Sequence, residues 1–163
     1  MSSISGRVGG AIGGFSVYCT VADGVIAGRI GGLLRGGDIR LEYDSSRIIG
    51  RLGGLVFGKD VVLARRDNTL QGRLGGAIAG KDLFLETDGL KIGGRVGGEV
   101  IGFSADLLVA QGQLRGRLGG VVFGHDVNIE TDEGDPLLAA LIAVLTYYYY
   151  QETENRHSHH HSG

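Results

Sequence analysis

Gly6-Arg7-Val8-Gly9-Gly10 returns 22 residues later as Gly28-Arg29-Ile30-Gly31-Gly32, and then as Gly50-Arg51-Leu52-Gly53-Gly54, Gly72-Arg73-Leu74-Gly75-Gly76, Gly94-Arg95-Val96-Gly97-Gly98 and Gly116-Arg117-Leu118-Gly119-Gly120. An interval that never slips over six copies marks one supersecondary unit packed against itself. Residues 3–134 are therefore a repeat array.

Placed in register, the copies separate inside from outside. Ile4, Ile26, Ile48, Leu70, Ile92 and Leu114 form one aliphatic column, and Val8, Ile30, Leu52, Leu74, Val96 and Leu118 form a second, four residues on. A third is Ile12, Leu34, Val56, Ile78, Val100 and Val122. The fourth is Val17, Ile39, Val61, Leu83, Ala105 and Val127, followed two residues later by Cys19, Leu41, Leu63, Leu85, Leu107 and Ile129. Spacing by two or four with polar residues between is the period of a strand, not of a helix, and β-branched residues support that reading.

Three turn signals punctuate each copy: the Gly-Gly pair, a Gly14-x-Ser16 or Gly36-x-Asp38 corner, and a polar pair such as Asp23-Gly24, Ser45-Ser46 or Asp67-Asn68. They predict three short strands per copy and an all-β repeat fold, a three-sided parallel β-solenoid of six 22-residue coils with the aliphatic columns inside. The alternative is a closed β-barrel of six hairpins with a C-terminal helix in its lumen, since Gly-Gly and Asp-Gly also turn hairpins. The barrel gains from inward glycines that make room for the helix. It loses from a register shift in the same sense at every hairpin, which on this reading tilts strands beyond the usual ~35–45°.

The repeat ends near Asp132. Asp135-Pro136 is a helix start, with a carboxylate at the N-cap and proline in the first turn. The chain then divides into the array at 1–134, a helix at 135–152 and a disordered polar, histidine-rich tail at 153–163. Leu137 to Leu145 is apolar all round and needs cover on several sides. From Leu137 to Tyr150 it falls short of the ~20 residues that span a bilayer.

Thirty-two glycines against one proline exclude collagen, and the 42% hydrophobic content excludes a flexible low-complexity chain. A net charge of -2 gives no global attraction to nucleic acid. The lone Cys19 sits in a core column and forms no internal disulfide. The N-terminus lacks a basic segment followed by an apolar run, which points to the cytoplasm.

Arg7, Arg29, Arg51, Arg73, Arg95 and Arg117 each lie between inward positions and form an outward row. With Asp38, Asp60, Asp82 and Asp126 it reads as a structural ladder, and without them as an anion-binding strip. No aromatic column accompanies the row, so no nucleic-acid binding is expected. One corner aspartate per 22 residues does not suit a calcium-binding turn repeated every nine residues. His125 shares a column with Phe15, Gly37, Lys59, Lys81 and Phe103 and reads as a solvated surface residue. His157, His159, His160 and His161 could ligate a transition metal but read as a tag or loose tail. No nucleophile–base set or phosphate loop stands out, so neither an enzyme nor a cofactor is expected. These readings predict a self-associating structural or scaffold protein, a homo-oligomer formed through an open first coil bearing Ile4, Val8 and Ile12. A polyanion-binding module using the arginine row, or a membrane-docking protein using the helix, is the alternative.

Overall fold

The computed structural model describes all residues except 11–12, 32–34, 55–57, 77, 121–123 and 162–163, and the side chains of 157–161. Among the described residues it contains twelve strands and one helix: β1 (Ser2–Gly9), β2 (Gly14–Ala22), β3 (Val25–Ile30), β4 (Gly37–Tyr43), β5 (Arg47–Leu52), β6 (Lys59–Arg66), β7 (Thr69–Leu74), β8 (Lys81–Thr87), β9 (Lys91–Gly97), β10 (Gly102–Ala110), β11 (Gln113–Gly119), β12 (Gly124–Thr131) and α1 (Pro136–His161). Every strand pairs antiparallel with both sequence neighbours, and β1 pairs with β12 to close the ring. The fold is a closed barrel, and the parallel solenoid is wrong.

Each 22-residue unit is a hairpin of two strands, not a coil of three. The polar pairs are the tight turns that join one unit to the next: Asp23 and Gly24 have φ of 53° and 77°, and Gln111 and Gly112 have 53° and 75°. Positive φ at both central residues is the type I′ geometry, whose twist matches two antiparallel strands. The two glycine signals belong to one loop at the opposite end of the barrel. Of the third aliphatic column, Ile78 and Val100 therefore lie in these loops, not inside, and are 99% and 95% exposed. Ile12, Leu34, Val56 and Val122 fall outside the described residues.

The other columns do face inward, and their register sets the shape of the barrel. Val17 stands opposite Gly6 in its own hairpin and opposite Ile30 across the next seam. Ile30 is the repeat equivalent of Val8, two residues beyond Gly6, so one seam advances the register by two. The same step recurs from Ile39 to Leu52, Val61 to Leu74, Leu83 to Val96, Ala105 to Leu118 and Val127 to Val8. Six steps of two make a shear of twelve for twelve strands. At ~3.3 Å per residue and ~4.8 Å between strands, that is a tilt of about 35°. The shift in one sense at every hairpin, which counted against the barrel, is what closes it at an ordinary tilt.

This geometry leaves a backbone radius of about 11 Å, room for one α-helix ~10–12 Å across plus one layer of inward side chains. α1 fills it. Leu137–Leu145 and Tyr147–Tyr149 are all buried against Ile4, Ile26, Leu41, Ile48, Leu63, Leu70, Leu85 and their equivalents. A helix apolar on every side is explained by a core that surrounds it. Thr146, buried among these residues, donates its hydroxyl to the Ile142 carbonyl 2.7 Å away. The helix enters at the tight-turn end, where Asp135 accepts from the Leu137 amide at 3.1 Å and pairs with Arg65. It continues through residues 153–161, which the sequence reading assigns to a disordered tail. Ile4 and Val8 lie in this core with β1 paired on both edges, so the open first coil is absent. Around the β1–β12 seam, Thr131 donates to the Ser3 carbonyl (2.8 Å) and the Ser3 amide donates to Asp132 (2.7 Å).

The first glycine of each motif sits where neighbouring strands approach most closely. A Cβ at Gly72 would run into the Val62 carbonyl oxygen and the Leu63 Cα, whereas one at Gly76 would meet nothing within 4 Å. Gly72→Ala is expected to cost about 1–3 kcal/mol in urea melts and Gly76→Ala less than about 0.5 kcal/mol.

Burial pushes the Cys19 thiol from its ordinary 9.0 up to about 12, and burial also raises Tyr148. Between those pH values the unfolded chain releases a proton that the native state keeps. Stability should therefore fall as pH rises from 9 toward 12, with a shallower fall in Cys19→Ala, read as the urea midpoint at each pH.

Candidate functional site: the helix-exit mouth

The arginine row is a ring in which Arg and its partner alternate from strand to strand. Within each hairpin the arginine stands opposite the residue nine positions on: Arg29 opposite Asp38, Arg51 opposite Asp60, Arg73 opposite Asp82, Arg117 opposite Asp126, Arg7 opposite Ser16 and Arg95 opposite Ser104. The ion pairs are 3.2 Å for Arg29–Asp38, 2.6 Å for Arg51–Asp60, 2.8 Å for Arg73–Asp82 and a loose 3.9 Å for Arg117–Asp126. Where serine replaces aspartate, the guanidinium turns to the loop as well. Arg95 donates to Ser104 at 2.9 Å and to the Gly98 carbonyl at 2.6 Å, and Arg7 donates to the Gly10 and Gly13 carbonyls at 3.2 Å. Each of these six arginines thus ties its own hairpin together, and Arg7, Arg51, Arg73 and Arg95 also hold the adjoining glycine loop. The carboxylates are largely exposed, and exposed pairs of this kind contribute ~0–1 kcal/mol each.

The chemically distinctive region is the opposite end of the helix, where α1 leaves the barrel among the glycine loops. The innermost positions of the even strands there are Phe15, Gly37, Lys59, Lys81, Phe103 and His125, an inward column that mixes aromatic, basic and glycine residues. They form a collar around Tyr147-Tyr148-Tyr149-Tyr150. The Phe103 ring meets Tyr147 edge-on with centroids 4.6 Å apart, and Phe15 meets Tyr150 edge-on at 5.2 Å. The Tyr149 phenol occupies the place of a side chain at Gly37 and donates to the Gly36 carbonyl at 3.3 Å. The Lys81 ammonium lies 5.8 Å from the Tyr148 ring centroid. A sixfold barrel meets a helix without sixfold symmetry, so the collar positions meet the tyrosines in different ways.

His125 belongs to this collar and is not a solvated surface residue. Its ring lies 5.1 Å from Tyr147 and 5.4 Å from Tyr150, and its buried Nδ1 has no hydrogen-bond partner among the described residues. Burial raises Tyr147 above the ordinary phenol value. Lys59 and Lys81 share one carboxylate, with their ammonium groups 3.7 Å and 3.5 Å from the two oxygens of Glu152, while Arg35 pairs with Glu154 at 2.8 Å. Between the helix and the β9–β10 loop runs a groove of about 530 Å³ lined by Lys81, Val100, Ile101, His125, Tyr150 and Asn155 among others.

Of the residues singled out from sequence, the six arginines stand on the outer wall, Ile4 and Val8 lie in the core, and Ile12 and the tail histidine side chains fall outside the described residues. Sequence reasoning missed the collar, because disagreement among copies is as large in the column of Tyr18, Arg40, Val62, Phe84, Asp106 and Asn128, which faces outward. Among the described residues no group of three or more His, Cys, Asp or Glu converges as a metal site. No protein-family model, curated protein or solved structure matches the chain.

Truncating the collar should cost far more than breaking the ring outside. Phe103→Ala is expected to lose about 3–5 kcal/mol and Asp60→Asn less than about 1 kcal/mol, as measured by chemical denaturation.

Proposed function

We propose that this protein is a non-catalytic structural module that self-associates through the loop-ended mouth of its barrel. One observation carries the reading: Ile78, Val100 and Ile101, on two neighbouring loops at that end, are 99%, 95% and 74% exposed. Hairpin loops favour polar and turn-forming residues, as the tight turns at the other end do with Asp23, Asp44, Asp67 and Asp88. Every glycine loop carries an aliphatic residue at its centre in the sequence. Exposed apolar groups gathered at one site mark an interaction surface.

A second copy suits the rim because both charge signs are present on it. Lys59, Lys81 and Arg35 lie beside Glu99, Glu152 and Glu154, so a twofold contact can set each sign against its opposite. This surface replaces the open first coil as the route to a homo-oligomer. The polyanion alternative is weakened by the ring itself, because Arg29, Arg51 and Arg73 already hold carboxylates. The non-catalytic part of the proposal is supported by a lumen occupied along its length by the chain's own helix.

Sedimentation velocity over a hundredfold concentration range should give a concentration-dependent dimer or larger species, and Val100→Ser combined with Ile101→Ser should shift it to monomer. A wild-type chain that stays monomeric throughout and floats with liposomes would replace self-association by membrane docking.

A further inference from the structure

We propose that the groove between α1 and the β9–β10 loop binds an anionic amphiphile, a molecule with one carboxylate or phosphate head on an apolar chain. The charge balance at its Lys81 end supports the head. Lys59 and Lys81 divide a single Glu152 carboxylate, at 3.7 Å and 3.5 Å, both longer than the ~2.7–2.9 Å of a charge-assisted hydrogen bond. Two ammonium groups with one carboxylate leave a positive charge uncompensated where the Lys81 side chain is only 23% exposed. The Lys81 ammonium also lies over the Tyr148 ring, 5.8 Å from its centroid, and Lys81 lines the groove. An arriving acidic head completes the ion set with hydrogen bonds that Glu152 by itself does not supply.

The remaining walls suit an apolar chain. Val100 and Ile101 line the groove together with the rings of His125, Tyr147 and Tyr150. The loop residues are exposed as the structure stands, so covering them with a chain removes apolar surface from water. Gln151 and Asn155 line the helix side with their amide groups. Glu154, the other acidic residue of the groove, is paired with Arg35, which limits its repulsion of an anion. At about 530 Å³ the groove falls within the ~300–1,000 Å³ of small-molecule sites. Arg117, Arg73 and the rest of the outer ring take no part.

The inference is independent of self-association, although both use Val100 and Ile101. The binding test stands whatever the oligomeric state. Isothermal titration of the full chain with decanoate and decyl phosphate, below their micelle-forming concentrations, should show saturable binding. Decanol, decyltrimethylammonium and inorganic phosphate should bind at least about tenfold more weakly. Lys81→Met should weaken decanoate about tenfold or more while Lys81→Arg retains it, and Val100→Ser with Ile101→Ser should weaken it similarly. Circular dichroism of each variant separates lost binding from lost fold. Equal binding of the cationic or neutral analogue, or indifference to Lys81→Met in a folded chain, overturns the proposal. So does capture by phosphatidylglycerol vesicles without any binding of the free amphiphiles, which assigns the surface to a bilayer.

Discussion

The register step of two residues at each seam between hairpins governs everything else in this molecule. Twelve strands with a shear of twelve take a tilt near 35° and a backbone radius near 11 Å. A smaller shear would narrow the cylinder and exclude a helix, and a larger one would open a lumen that a single helix could not fill. Glycine makes the step possible, because the inward position flanked by Val17, Ile39, Val61 and their equivalents lies too close to neighbouring backbone for a side chain. The larger residues on either side then pack on the helix at the density of any protein core.

A barrel built from six similar hairpins surrounds a helix that has no sixfold axis, and the mismatch has to be absorbed somewhere. In the middle of the lumen it is absorbed by interchangeable aliphatic residues against the small and branched side chains of Leu137–Leu145. At the exit the helix presents four tyrosines, which are large and directional, and there the repeats diverge. Phe15 and Phe103 supply edges to rings, Gly37 yields its volume to the Tyr149 phenol, and Lys59 and Lys81 face Glu152. Among these inward positions, the choice of residue follows the part of the helix that each one meets.

The outer wall and the two ends divide the remaining tasks. On the wall, arginine and its partner alternate around the girth and tie strands and loops together, among exposed side chains such as Tyr18, Val62, Phe84 and Leu108. The tight-turn end carries aspartates and receives the helix through Asp135 and Arg65. The glycine-loop end carries exposed aliphatic residues, two lysines that share the Glu152 carboxylate, and an imidazole whose buried Nδ1 has no hydrogen-bond partner among the described residues.

Strand periodicity, four of the five inward columns, the outward arginines, the helix start at Asp135-Pro136 and the need to surround Leu137–Leu145 are all local properties. They follow from alternation, propensity and hydrophobicity along the chain, and the sequence by itself determined them. The direction of pairing is not local, because an inward alternating strand reads the same in a parallel stack and in a hairpin. What separated the two was the left-handed backbone at Asp23-Gly24 and Gln111-Gly112, which reverses the chain, and the antiparallel ladder on both edges of every strand. That reversal moved Ile78 and Val100 from the expected interior to exposed loops and placed Ile4 and Val8 in a closed core. Only the tertiary structure decided that Phe15, Lys81, Phe103 and His125 form a single collar. They are neighbours because the barrel closes around a helix far away in sequence, and no period within a 22-residue unit records that closure.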